Sequence, residues 1–194
     1  MHGTLTNKGL ISNNPKSGSF SIHLHDAIHN EGTYGPLYTY FSGDQPVEMS
    51  QSANTNYTGT YYAADTSNGL RLASNVTFKK ITFNGTDMVP FASFHSLGHQ
   101  LTLDSCNISE LRLFGNDTIH GNGTKFSNVS SFDFPIFTGL LTVHSGVHFR
   151  RGCVNLGTIE NSSGYGRTVK VEGKLHNYGT IRTHPKSGSL TMDL

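Results

Sequence analysis

The chain has no tryptophan, two cysteines and few charges: 14% of its 194 residues are Asp, Glu, Lys or Arg, and the formal net charge is +1. Sparse, balanced charge with no Lys/Arg run lacks the electrostatic footprint of a nucleic-acid or anionic-membrane partner. Nothing approaches the ~20 apolar residues of a membrane helix, so membrane insertion is not expected. The start, Met1-His2-Gly3-Thr4, has neither the basic opening nor the apolar run of an export signal. No window shows apolar residues at i, i+3, i+4 and i+7, which argues against amphipathic helices.

Patterns of catalysis are missing as well. There is no Gly-x-Ser-x-Gly elbow, no phosphate-binding glycine loop and no His-Glu-x-x-His. The thirteen acidic residues are scattered from Asp26 to Asp193. Nothing in their spacing places two of them on one face of adjacent rungs, as polysaccharide lyases and hydrolases require for Ca²⁺ or for acid–base work. Eleven histidines include the pairs His23/His25, His95/His99 and His144/His148, but no Cys, Asp or Glu stands beside them in a ligand pattern. The expectation is a non-enzyme with neither metal nor cofactor. Cys106 and Cys153, 47 residues apart, leave two readings open. Two stacked turns between them would hold them ~9–10 Å apart, too far for a disulfide, whereas one turn with a long loop would let them bond.

What the chain does have is glycine, 22 residues of it, plentiful Ser and Thr, and a repeat. The segment Gly3 to Leu24 recurs at a constant offset of 170 residues as Gly173 to Leu194. The match holds at Gly3/Gly173, Leu5/Leu175, Asn7/Asn177, Gly9/Gly179, Ile11/Ile181, all of Pro15–Ser19 against Pro185–Ser189, and Leu24/Leu194. Leu5, Asn7, Gly9 and Ile11 fall two apart, the period of extended chain. Asn-x-Gly recurs at Asn7, Asn30, Asn155 and Asn177, with the first pair 23 and the last pair 22 residues apart. That period belongs to a solenoid, with Asn and Gly at corners where the backbone turns tightly.

Short alternating runs continue the theme: Leu70-Arg-Leu72, Val76-Thr-Phe78, Ile81-Thr-Phe83, Leu101-Thr-Leu103, Leu141-Thr-Val143, Val147-His-Phe149 and Val169-Lys-Val171. The fold expected is all-β, a parallel β-helix of roughly seven or eight rungs at ~20–25 residues each. The competing architecture is a β-sandwich with strands every 8–12 residues, which gives the terminal echo no natural cause. Residues 33–69 lack the corner motif and hold six of the eight tyrosines, so they read as a lateral excursion inserted into a single domain over 1–194. Because the start falls inside a repeat, the whole reads as a segment of a longer protein.

Tyr34, Tyr38, Tyr40, Tyr57, Tyr61 and Tyr62 are the candidate ligand-binding residues. Flat amphipathic rings can stack on sugars or a partner protein and hydrogen-bond outward; the alternative is that they form a small core of the loop itself. Eight Asn-x-Ser/Thr sequons, at Asn56, Asn75, Asn84, Asn107, Asn116, Asn122, Asn128 and Asn161, are candidate glycosylation sites; the alternative is a preference for Asn and Thr at solenoid corners.

The rungs Leu5-Thr-Asn7-Lys-Gly9-Leu-Ile11-Ser through Ser19-Phe-Ser-Ile22 to Ile28-His-Asn30-Glu-Gly32 resemble those in the N-terminal domain of hyphally regulated cell-wall proteins of yeasts. Leu141-Thr-Val-His-Ser-Gly146 has a similar counterpart there, and bacterial haemagglutinin-like solenoids use similar Asn-Gly rungs. The resemblance covers about the first 33 and last 55 residues. It implies a secreted, glycosylated adhesin at the cell surface or cell wall, with surface glycans or proteins of host or neighbouring cells as partners. Two further functions are kept as expectations: a unit that self-associates end to end through its terminal rungs, and a carbohydrate-active β-helix enzyme.

Overall fold

In the computed structural model, residues 3–14, 16, 20–36, 38–42, 45–63, 69–84, 92–109, 111–114, 118–127 and 130–194 are described; for 63, 83–84, 92–94, 109, 111–114, 127 and 130–131 only the backbone is. These residues form strands and turns without a helix, and all the strand pairings are parallel. The expected parallel β-helix is the fold.

The column has three faces. The first stacks ten strands, from Thr4–Asn7 through Ala27–Asn30, Val47–Gln51 and Leu70–Leu72 to Arg167–Val171 and Leu190–Asp193. The second runs from Leu10–Ser12 through Thr33–Gly35, Asn56–Tyr57, Val76–Lys79 and Leu101–Asp104 to Gly152–Asn155 and Lys174–Asn177. The third runs from Ser21–Leu24 through Tyr38–Phe41, Thr60–Ala63, Thr82–Asn84 and Asn107–Ser109 to Thr158–Asn161 and Thr180–Thr183. Two long strands, Thr118–Ser127 and Ile136–Val143, cross from the second face to the third, with a register shift between Asn122 and Thr124 at the corner. Rungs shorten in the middle, where Ser130 stacks under Val147 only 17 residues on, against 23 for Thr4 and Ala27.

Alternation sends one set of side chains inward on every face. Leu24, Ile28, Val47, Met49, Leu70, Leu72, Val76, Leu101, Ile119 and Val169 are almost completely buried. Around Phe132 three rings pack edge-on or tilted: Phe126, Phe137 and Phe149 lie 5.4, 5.6 and 5.8 Å from its centroid.

Corners are built by amide ladders. Asn7 Nδ2 donates to Asn30 Oδ1 at 2.9 Å and to the Thr33 carbonyl one rung on, while Asn7 Oδ1 accepts from the Gly9 N–H. Asn155 repeats this with Asn177 Oδ1 at 2.7 Å, the Thr180 carbonyl and the Gly157 N–H. Glycine follows because the rungs touch there. A β-carbon on Gly32 would overlap the Gly9 carbonyl oxygen, one on Gly157 that of Gly139, and one on Gly179 that of Gly157.

Residues 33–69 are corrected by this architecture. The described residues among them form no lateral excursion: Thr33–Gly35, Tyr38–Phe41, Val47–Gln51, Asn56–Tyr57 and Thr60–Ala63 are rungs in register on all three faces. The corner motif is missing because a longer amide does its work. Gln51 stacks on Asn30, its Nε2 donates to the Thr55 carbonyl, and its Oε1 accepts from the Thr77 N–H.

The echoing segments lie at opposite ends of the column but on different faces. Thr4–Asn7 opens the first face, whereas Lys174–Asn177 closes the second, so the two copies of the echo are out of phase around the column.

Candidate functional site

The six tyrosines divide by strand parity. Tyr34, Tyr57 and Tyr61 point inward and are fully buried, so they are core and not ligand contacts. Their hydroxyls are satisfied inside: Tyr34 with Thr39 Oγ1 at 3.1 Å, Tyr57 donating to the Ser50 carbonyl, and Tyr61 donating to the Thr58 carbonyl at 2.9 Å. Burial pushes Tyr34 up to about 12 and holds Tyr57 and Tyr61 well above the ordinary phenol range.

Tyr38, Tyr40 and Tyr62 point outward on the third face, half-buried, and with His23 they make a strip along the column. His23, Tyr40 and Tyr62 occupy the same register position on three successive strands. Their rings pile face to face, with centroids 4.7 Å apart at 11° and then 5.2 Å apart at 16°. Those spacings match the ~4.8 Å between strands, so the ring planes stand across the column axis. Tyr38 lies beside the pile, 5.9 Å from Tyr62. The ring faces are therefore turned on one another, and what the strip offers outward is ring edges. In the sequence His23 stood out only as the partner of His25 and was not joined to the tyrosines. The signal was available, since Ser21-x-His23 has the same alternation as Tyr38-x-Tyr40 one rung on.

A second outward column runs parallel to this strip: Ser21, Tyr38, Thr60, Thr82, Asn107 and Lys125 stack in unbroken register. Hydroxyl and amide groups thus recur once per strand beside the rings.

The sequons divide too. Asn75, Asn107 and Asn122 are exposed, and Asn56 is half-buried on the second face. Of Asn84 only the backbone is described, and Asn116 and Asn128 lie outside the described residues. Asn161 is corrected as a candidate glycan site: it is fully buried, with Nδ2 donating to the carbonyls of Tyr165, Gly188 and Ser189. Its amide is a corner brace.

Several of the described carboxylates are engaged with basic side chains across stacked strands. Glu48 accepts from Arg71 at 2.7 Å, Glu160 from Arg182 at 2.7 Å, and Asp133 pairs with Arg150 at 2.5 Å. Such cross-strand pairs fix register more than they stabilise. Lys170 is raised and Glu172 lowered by the hydrogen bond between them. Among the described residues, no three His, Cys, Asp or Glu side chains gather around one point that could hold a metal ion. Cys106 and Cys153 are both buried and free, three rungs apart, which resolves the two sequence readings in favour of no bond.

No family model, curated protein or solved structure matches this chain. The fold defines a class, the parallel β-solenoids.

Proposed function

We propose that the chain is a non-catalytic solenoid module of a secreted or surface-displayed protein, at the cell surface or cell wall, and that it adheres to extended glycans through its third face. The observation behind this reading is the paired outward columns, His23-Tyr40-Tyr62 beside Ser21-Tyr38-Thr60-Thr82-Asn107. Hydroxyl and amide groups there repeat at the ~4.8 Å strand spacing, a period close to that of one sugar in an extended polysaccharide. Because the ring faces are occupied by each other, recognition runs through hydrogen bonds and ring edges, not through sugars lying flat on a ring. Stacked ladders make the module stiff by summing many nearest-neighbour contacts, which suits a projecting element.

The test removes hydroxyls and keeps rings. In co-sedimentation with insoluble β-linked glucan and with intact yeast cells, the triple variant Tyr38→Phe, Tyr40→Phe, Tyr62→Phe is expected to bind about tenfold more weakly, roughly 1.4 kcal/mol. Its circular dichroism should be unchanged. Equal binding by wild type and variant, or no binding by either, removes the glycan reading.

A further inference from the structure

A one-electron oxidant draws on tryptophan, tyrosine and thiolate, and this chain offers it little but phenol. It has no tryptophan. Cys106 and Cys153 are buried, which keeps both thiols out of reach. Tyr34, Tyr57 and Tyr61 lie in the core with their hydroxyls bonded inside. The oxidisable rings on the outside are therefore Tyr38, Tyr40, Tyr62, Tyr165 and Tyr178. Of these, Tyr165 and Tyr178 stand on separate corners, one before Arg167–Val171 and the other after Lys174–Asn177. The Arg167 guanidinium, 5.8 Å from the Tyr165 ring centroid, also disfavours a positive charge on that ring.

On the third face the phenols meet. Tyr38 and Tyr40 share the strand Tyr38–Phe41, and Tyr62 lies on the next strand directly opposite Tyr40. Tyr62 thus has two neighbours in different geometries. Tyr40 lies face to face with it, 5.2 Å away at 16°, while Tyr38 meets it diagonally, 5.9 Å away at 58°.

The difference decides which pair can be joined. Coupled phenols bond through the ring carbons beside their hydroxyls, giving two rings end to end about a twisted bond. Such a product holds its β-carbons well apart. Facing residues on stacked strands are only ~4.8 Å apart, whereas residues offset by two positions are ~8 Å apart, given a rise of ~3.3 Å per residue. The diagonal pair has the wider separation, and its rings are already tilted. The face-to-face pair has neither.

We propose that Tyr38 and Tyr62 are an oxidative cross-linking site, acted on by a haem peroxidase with hydrogen peroxide and joined within one chain as dityrosine. Each phenol gives up one electron and one proton. The two phenoxyl radicals form a carbon–carbon bond, and the hydrogens on the joined carbons return to the oxygens as the rings regain aromaticity. Peroxide takes up the two electrons and two protons and leaves as two waters. The bond ties neighbouring rungs together and closes the chain between residues 38 and 62 into a loop, which restricts the unfolded state as a disulfide does. This inference stands on the ring geometry and is independent of glycan binding.

The test treats dilute whole chain with a haem peroxidase and hydrogen peroxide and separates the products by size. The monomer fraction is expected to gain dityrosine fluorescence, and its digest a peptide pair joined at 38 and 62 and lighter by two hydrogens. Tyr38→Phe should abolish the monomer's dityrosine. Tyr40→Phe, and the double variant Tyr165→Phe with Tyr178→Phe, should keep the 38–62 product. Circular dichroism of each variant checks that the outward exchange leaves the column folded. A monomer fraction without dityrosine, a product joining 40 to 62 in place of 38 to 62, or undiminished yield from Tyr38→Phe would each overturn the proposal.

Discussion

Replacing Asn161 separates a glycan site from a structural brace. The ordinary way to remove a sequon, Asn161→Gln, leaves a surface site's fold untouched. Here the side chain is fully buried at the corner after Thr158–Asn161. Its Nδ2 has two hydrogens for three carbonyl oxygens, Tyr165 at 3.1, Gly188 at 2.8 and Ser189 at 2.9 Å, and its Oδ1 accepts from the Ser163 N–H at 2.9 Å. Two donated bonds and one accepted bond are worth about 1 kcal/mol each net, and a buried N–H left without an acceptor costs about 1–3 kcal/mol more. Asn161→Ala should therefore lose roughly 4 kcal/mol, and Asn161→Gln a comparable amount, because its extra methylene cannot reach the same four atoms from a closed corner. Urea titration followed by tyrosine fluorescence measures this, with Asn122→Gln as the exposed comparison. A loss below about 1 kcal/mol for both Asn161 variants would refute the brace, since that is within the range of an ordinary surface change.

Three other outcomes follow from the packing. Phe132→Ala, which empties the centre of a four-ring cluster, should cost about 3–5 kcal/mol in the same titration; a value under 1 would mean that the cluster collapses around the gap. Gly32→Ala drives a β-carbon into the Gly9 carbonyl and should lower the melting temperature of the monomer, where Gly9→Ala does not; equal melting of the two would contradict the corner geometry. The thiols of Cys106 and Cys153 are pushed up to about 11 and about 12, in both cases chiefly by burial. Both stay protonated at pH 8, so alkylation of the folded chain should remain negligible there and appear only on unfolding; fast labelling of the native protein at pH 8 would show that the sites are open.

The sequence alone determined the solenoid. Leu5, Asn7, Gly9 and Ile11 at period two, and Asn-x-Gly returning after 22 or 23 residues, admit little else, because each rung can bury its apolar side only on the next. The same pattern misled over residues 33–69, where the corner amide is Gln51 and not Asn, and the rung continues without the motif. Tertiary structure decided what each tyrosine does. A tyrosine suits either side of a strand, so composition could not separate Tyr34, Tyr57 and Tyr61, whose hydroxyls find buried partners, from Tyr38, Tyr40 and Tyr62, whose rings pile outside. Asn161 is likewise indistinguishable from the exposed Asn122 as a sequon, and only the carbonyls of Tyr165, Gly188 and Ser189 converging on it give it a structural task. The face on which the last rung lies also depends on how the two long strands fold over a corner, a matter of stacking between segments that local sequence does not contain.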